Sequence, residues 1–156
     1  MIKSELSENN FHPKVLIYFC SYCSGPKASS EGLALSHISD SITSVHFKCS
    51  REVTPTQLRL GFANGADGIL ICGCLVRDCT NSPGDLQVLQ SLYSNQLTMK
   101  NLGLASDRLR EEWVVQGTTD HLESIVASFI EHLKIMGPCE LSAHFVEPEK
   151  MKESQA

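Results

Sequence analysis

The chain has 156 residues, 42% of them hydrophobic and 20% charged, which suits one compact domain with a core of its own rather than two domains. A net charge of −5 without a clustered basic stretch argues against a general affinity for nucleic acid, and no apolar run approaches the ~18 residues of a membrane span. The opening residues lack the apolar core of a secretory signal, so the sequence predicts a cytoplasmic protein. Seven cysteines in that compartment indicate metal binding or redox chemistry rather than disulfides.

Four strands are predicted after a polar, disordered lead-in over residues 1–12. Each corresponds to a short apolar segment bounded by polar or glycine-rich residues, a pattern typical of strands that are buried on both faces. The predicted strands cover residues 14–19, 44–48, 68–72 and 113–115.

Helices are predicted between these strands. Residues 31–39 form a short one, and a second begins at Thr54, an N-cap residue followed by Pro55 at the first helical position. That second helix stops at Asn64-Gly65.

Two longer helices complete the pattern, over residues 85–101 and 119–136. The first has apolar residues at three- and four-residue spacing, which places them on one face. The last helix has the clearest apolar stripe in the chain, and Gly137-Pro138 ends it. The two apolar sets are Leu86, Leu89, Tyr93 and Leu97 in the first, and Leu122, Ile125, Val126, Phe129, Ile130 and Leu133 in the second.

The alternation of strands and helices predicts βαβ units with right-handed crossovers and a parallel sheet covered on both faces. We therefore predict an α/β fold: a single doubly wound, flavodoxin-like domain with a four-stranded parallel sheet over residues 13–138. The expected strand order is 2-1-3-4, and residues 139–156 form a flexible tail. In such folds, functional sites lie outside the carboxyl ends of the strands.

Five of the seven cysteines lie at the carboxyl ends of three predicted strands. Adjacent strands are only about 4.8 Å apart, so we expect the five thiols to converge on one point. Soft thiolates prefer zinc, Cu(I) or iron–sulfur clusters, and a [2Fe–2S] cluster needs four protein thiolates. The pattern predicts one iron–sulfur-type metal site, with no separate catalytic residues. The five are Cys20 and Cys23 after strand one, Cys49 after strand two, and Cys74 and Cys79 after strand three.

The other two cysteines are assigned no role. Cys72 lies inside an apolar strand, where a small buried hydrophobe is the simpler interpretation, and Cys139 follows the last helix as a bystander. Two alternative functions remain open. One is a structural zinc module for partner binding, and the other is a thiol–disulfide oxidoreductase built on the C-x-x-C pair Cys20/Cys23.

Several motifs surround these cysteines. They are FCSYC after the first strand, Cys49-Ser50 with Val53 and Pro55, GADGILICGC with Asp78-Cys79, RLREEW at 108–113, and MGP at the end of the last helix. Over about residues 15–138, they resemble the delta subunit of the methyl-viologen-reducing hydrogenase, a small iron–sulfur family that works beside heterodisulfide reductase. The chain departs from the family pattern at Arg51-Glu52, at Leu75-Val76-Arg77 and at Thr80-Asn81, but all five thiols are present.

This resemblance implies a cytoplasmic electron carrier with one [2Fe–2S] cluster and no independent catalysis. Four of the five family cysteines would be its ligands. The implied partners are a hydrogenase or other dehydrogenase module as donor, and the flavin-bearing subunit of a heterodisulfide reductase-type complex as acceptor. The residues that depart from the family pattern change the charge and hydrogen bonding beside the cluster, which tune its reduction potential.

Overall fold

The computed structural model describes residues 10–20, 40–47, 53–73, 84–113 and 119–140. Within them lie four strands: β1 (Val15–Cys20), β2 (Ile42–Phe47), β3 (Gly68–Gly73) and β4 (Leu109–Trp113). All neighbouring pairs are parallel, and the strand order is β2-β1-β3-β4. The predicted α/β fold and its 2-1-3-4 order are confirmed.

Three α-helices lie in the described part of the chain: α1 (Pro55–Ala63), α2 (Gly84–Asn101) and α3 (Thr119–Met136). The predicted start of α1 is confirmed in detail. The Thr54 side chain accepts the backbone N–H of Gln57, and the Gln57 side chain accepts the backbone N–H of Thr54, which is a capping box. The helix predicted over residues 31–39 lies outside the described residues.

The sheet is covered by helices on its two faces, as a doubly wound fold requires. We call these the α3 face and the α1/α2 face. On the α3 face, β1 and β3 pack against the predicted apolar stripe of α3, and on the other face the core joins both strands to α1, α2 and β4. The most buried members of the two cores include Ile17, Phe19, Leu70, Phe129 and Leu133 on the first face, and Leu58, Phe62, Ile69 and Met99 on the second.

The fourth strand begins earlier than predicted. It runs over Leu109–Trp113 instead of beginning at Trp113, and residues 114–118 lie outside the described residues. Because Arg110, Glu111 and Glu112 are charged, a search for runs of apolar residues does not detect this strand. A strand at the sheet edge tolerates them because it pairs on one side only, with β3.

The packed side of α2 also differs from its most apolar side. Tyr93 and Leu97 lie on the outer side, with 72% and 44% of their surfaces exposed. The side that contacts the sheet instead contains Asn95, which is 3% exposed, and Met99, which is fully buried. Asn95 is buried because it donates a hydrogen bond to Glu111 of β4, a partner that helical periodicity alone does not reveal.

A pair of truncations on α2 tests this orientation. Met99→Ala should lower the free energy of unfolding by about 2–5 kcal/mol, because it leaves a cavity in the core. Leu97→Ala, half a turn away, should cost less than about 1 kcal/mol because its side chain already contacts water. Urea unfolding of the two variants measures the difference. Equal losses would contradict the observed orientation of the helix.

No helix in the described ranges combines the length and the apolar character needed to cross a membrane.

Candidate metal centre

The carboxyl ends of the four strands lie in one row. The last residue of β1, Cys20, pairs with Phe47, the last residue of β2. Phe19 pairs with Cys72, which places Cys20 level with Gly73, and Gly73 pairs with Trp113 at the end of β4. Neighbouring strands are about 4.8 Å apart, so the β2, β1 and β3 ends span roughly 10 Å.

The predicted ligands follow these strand ends in the sequence. Cys20 is the last residue of β1, Cys74 directly follows the last residue of β3, and Cys49 comes two residues after β2. The side chain of Cys20 and all of Cys23, Cys49, Cys74 and Cys79 lie outside the described residues. Their convergence on one metal therefore stays a prediction, whereas the adjacency of the strands that precede them is observed.

Cys72 is a buried thiol, as predicted. It is 2% exposed and lies in the core of the α3 face. Burial, with a smaller contribution from the carboxylate of Glu112, raises the pKa of the Cys72 thiol to about 12. Metal ligation and nucleophilic attack both need the thiolate, so this residue is unsuited to either role at neutral pH.

Cys139 is buried, although the sequence analysis assigned it to the start of the tail. It is 6% exposed and belongs to the core of the α1/α2 face. Its backbone N–H donates to Oδ1 of Asp67 at 2.9 Å. The packed part of the chain therefore extends through Cys139.

Asp67 joins three parts of the chain at the amino edge of the sheet, opposite the edge where β1 ends at Cys20. Besides Cys139, its carboxylate accepts the backbone N–H of Lys14, just before β1, at 2.8 Å. Its own N–H donates to the carbonyl of Lys14 at 2.7 Å. The carboxylate therefore satisfies two backbone donors that belong to neither a helix nor a strand ladder.

Arg108 completes this arrangement, and we call Asp67 and Arg108 together the polar lock. The Arg108 guanidinium is buried and donates to the carbonyl oxygens of Asp67, Gly137 and Pro138 at 3.0, 3.0 and 3.2 Å. The lock therefore joins the motifs GADG, RLREEW and MGP, which are far apart in the sequence. Sequence analysis identified the motifs but not their contact, because the acceptors of Arg108 are backbone carbonyls and have no residue-type signature.

Gly68, the second glycine of GADG, lies directly against the side chains of α3. A Cβ atom at this position would lie 2.5 Å from a terminal methyl of Leu133 and 2.8 Å from the ring of Phe129. Any side chain here would require Leu133 and Phe129 to shift from their packed positions. The GADG motif thus positions β3, whose other end leads to Cys74.

A second polar contact lies nearer the carboxyl edge of the sheet. The Asn95 side-chain amide donates to Oε1 of Glu111 at 2.7 Å. Burial raises the pKa of the Glu111 carboxyl, and the Asn95 hydrogen bond lowers it by a smaller amount. The net shift is upward, so the fold favours the protonated acid.

This shift predicts a pH dependence of stability. A carboxyl whose pKa is raised by folding stabilises the protein fully below its ordinary value of 4.5, and that contribution is lost as the pH rises through the folded value. Glu111→Gln mimics the protonated acid and still accepts from Asn95. At pH values above the pKa of Glu111 in the folded protein, the free energy of unfolding of this variant should therefore exceed that of the parent. Urea unfolding at several pH values, with Glu112→Gln as the control, measures the difference; parallel curves for Glu111→Gln and its parent would contradict it.

Known proteins similar to this chain identify its family. Residues 15–137 match the family described as methyl-viologen-reducing hydrogenase, delta subunit. The chain is 26% identical over 132 residues to an iron-sulfur subunit of the F420-non-reducing hydrogenase vhc of Methanococcus voltae, covering 85% of this chain and 92% of that protein. An iron-sulfur subunit of the F420-non-reducing hydrogenase of Archaeoglobus profundus is 23% identical over 82% of this chain and 93% of its own length.

A different kind of relative contains the same region within a longer chain. One subunit of the ferredoxin:CoB-CoM heterodisulfide reductase of Methanosarcina mazei is 25% identical over 126 residues, which cover 81% of this chain but only 16% of that protein. The family match spans most of the chain and includes the four strands, the polar lock and all five cysteines predicted as metal ligands. The protein therefore belongs to the methyl-viologen-reducing hydrogenase delta subunit family.

Proposed function

We propose that this protein is an electron-transfer subunit that holds one [2Fe–2S] cluster through four of the thiols Cys20, Cys23, Cys49, Cys74 and Cys79. It passes electrons between a hydrogenase or other dehydrogenase module and a heterodisulfide reductase-type flavin and iron–sulfur complex. The cluster supplies one-electron chemistry when bound. The chain supplies the ligands, excludes water from one side of the site and presents a surface to its partners.

One observation carries this proposal: the strands that precede the candidate ligands end side by side and level. The chain leaves this edge at three strand ends within roughly 10 Å, which is within reach of a shared cluster. The donor set also fits, because five soft thiols exceed the four that the cluster needs. The two cysteines that the structure buries in the core, Cys72 and Cys139, are the two that the proposal does not use.

The relatives support the partners. The proteins from Methanococcus and Archaeoglobus are hydrogenase iron-sulfur subunits, and the Methanosarcina protein belongs to a heterodisulfide reductase. In the last of these, a region like this chain is part of the same polypeptide as the rest of the reductase subunit. A covalent connection of that kind keeps the two parts at high effective concentration, as an electron-transfer pair requires.

Anaerobic reconstitution of the full chain with iron and sulfide tests the proposal. The product should contain about two irons and two sulfides per chain, absorb visible light and give an S = 1/2 signal in electron paramagnetic resonance after one-electron reduction. The first alternative, a structural zinc module, predicts a colourless protein with one zinc per chain. The second predicts dithiol–disulfide reductase activity that persists in Cys49→Ala and Cys79→Ala. Either result without a cluster would overturn the proposal.

A further inference from the structure

The apolar stripe of α2 faces away from the sheet. Tyr93 and Leu97 lie one turn apart with 72% and 44% of their surfaces exposed, whereas Met99, on the side toward the sheet, is fully buried. Gln90 and Lys100 are also exposed and continue the line of Tyr93 and Leu97 at three-residue spacing, which places all four on one face of the helix. We call Gln90, Tyr93, Leu97 and Lys100 the outer stripe. The amphipathic pattern of this helix is therefore not used by the core of its own chain.

The α2 helix is also almost free of charge. No charged residue occurs between Asp85 in its first turn and Lys100 in its last, although 20% of the chain is charged. The α3 helix has the same length and contains four charged residues. A helix whose outer side only contacts water is expected to resemble α3. Depletion of charge together with an exposed tyrosine is instead typical of the centre of a protein–protein interface.

The charge distribution indicates which partner fits this face. The chain has a net charge of −5, so two copies repel each other where their charged surfaces meet. An uncharged face removes that repulsion. A charged partner would be recognised by charges of opposite sign, and the only charge in the outer stripe is Lys100 at its end. The face is therefore suited to a second copy of the same chain.

The spacing of the outer stripe also suits contact with itself. In a contact with twofold symmetry, residue i of one copy meets residue j of the other, and j meets i. The pairs Tyr93/Leu97 and Gln90/Lys100 have the same midpoint, at the level of Asn95. Two antiparallel α2 helices centred on this level place Tyr93 of each copy beside Leu97 of the other. They also place the Gln90 amide, whose oxygen accepts hydrogen bonds, beside the Lys100 ammonium.

We propose that two copies of this protein associate through the outer stripes of their α2 helices, as an antiparallel pair with twofold symmetry. This interface goes beyond the electron-transfer function proposed above and needs no cluster. A contact that involves one helix from each copy is smaller than the interfaces of about 1,200–2,000 Å² that stable complexes form. The dissociation constant is therefore micromolar rather than nanomolar, and the two copies exchange.

The antiparallel arrangement keeps the carboxyl edges of both sheets out of the contact. The α2 helix follows β3 and precedes β4, so it runs from the carboxyl edge of the sheet to the amino edge. Its 18 residues span about 27 Å. The carboxyl edges of the two copies consequently lie toward opposite ends of the helix pair, where each is open to a partner of its own.

Sedimentation velocity of the full chain, without metal and under reducing conditions, tests this interface between about 5 and 500 μM, a range that brackets a micromolar dissociation constant. The sedimentation coefficient should rise with concentration from that of a 17.2 kDa monomer toward that of a dimer. Tyr93→Lys should raise the dissociation constant at least about tenfold, because it places a charge against Leu97 of the second copy without an opposite charge to compensate it.

Ile135→Lys is the matched control. Ile135 is 86% exposed and belongs to α3, on the other face of the sheet. The substitution removes an exposed apolar side chain and adds the same charge as Tyr93→Lys, so the dimer should persist. Because both positions are exposed, both variants should keep the circular dichroism spectrum of the parent.

A mixing experiment tests the register of the helix pair. Tyr93→Glu and Leu97→Lys should each be monomeric alone, since each puts a charge against an apolar side chain of the other copy. An equimolar mixture should dimerise, because the new carboxylate of one copy then meets the new ammonium of the other, and the second Tyr93–Leu97 contact is unchanged. Native mass spectrometry identifies the mixed dimer by its mass.

Three results would overturn this inference. They are a full chain that stays monomeric at the highest concentration, a dimer that survives Tyr93→Lys, and a dimer that Ile135→Lys weakens to the same extent. A mixture of Tyr93→Glu and Leu97→Lys that stays monomeric would overturn the antiparallel contact. A monomeric chain would leave the outer stripe to a different protein, such as a subunit of the proposed complex. None of these results depends on the iron content, so the proposed electron-transfer function is tested separately.

Discussion

Replacing the five cysteines predicted as ligands by serine, one at a time, should abolish the [2Fe–2S] centre in four of the variants and leave it in place in the fifth. The iron content of the anaerobically reconstituted protein should fall from about two per chain to near zero in those four variants, since each iron needs two protein thiolates. A hydroxyl is a poor replacement because it is harder and less readily ionised than a thiol. The variants are Cys20→Ser, Cys23→Ser, Cys49→Ser, Cys74→Ser and Cys79→Ser.

Cys72→Ala is the matched control for this series. Cys72 lies two residues before Cys74 on the same chain segment, but it is buried in the α3-face core. Its loss should cost about 1–2 kcal/mol of stability through the small cavity it leaves and should not change the iron content. Loss of iron in Cys72→Ala would contradict the assignment of this thiol to the core. Retention of iron in two or more of the five serine variants would contradict the proposed ligand set.

The positions of β1 and β3 could be predicted because they depend on local pattern. Fully buried parallel strands appear in the sequence as short apolar runs, and β1 and β3 are of this kind. The edge strand β4 differs. Its charged side chains are stabilised by contacts on other elements, such as the ring of Phe129 under Arg110, and no local pattern reveals those. The apolar-run criterion therefore places its start four residues too late.

The orientation of α2 could not be predicted for a related reason. Apolar periodicity selects the side that bears Tyr93 and Leu97, yet the helix packs through Met99 and Asn95. A buried asparagine is acceptable only where a partner satisfies its amide, and here the partner is Glu111 on a strand 16 residues away. Tertiary hydrogen bonding thus outweighs the hydrophobic pattern.

Of the candidate site, too, only the part that depends on strand order could be predicted from the sequence. Its predicted location at the carboxyl edge follows from the strand order, and the structure confirms that order. Which four of the five thiols would bind the proposed cluster depends on the chain segments that follow β1, β2 and β3, and strand pairing does not determine their conformation. The resemblance to the family extends the prediction to the cluster type, because the motifs specify the number of thiols rather than the shape of the loops.

Arg108→Met should destabilise the protein by about 3–5 kcal/mol, the largest effect that we expect from a residue remote from the cysteines. The guanidinium donates to three backbone carbonyls, and hydrogen bonds from charged groups contribute about 1.5–3 kcal/mol each before desolvation is offset. Methionine fills a similar volume but leaves the three carbonyls without this donor. Arg108→Lys should recover only part of the loss, because an ammonium cannot reproduce the planar geometry of the guanidinium.

Arg110→Met provides the control, since it removes the same charge two residues later, within β4. Arg110 is partly exposed, and its described contacts are the Phe129 ring and a 4.0 Å ion pair with Glu112, which together contribute about 1 kcal/mol. Chemical denaturation should therefore separate the two variants by at least about 2 kcal/mol.

In Arg108→Met, amide exchange should also accelerate at Cys139, whose N–H bonds to Asp67 within the polar lock. Equal stability of the two variants would show that the lock does not hold β3, β4 and the end of α3 together.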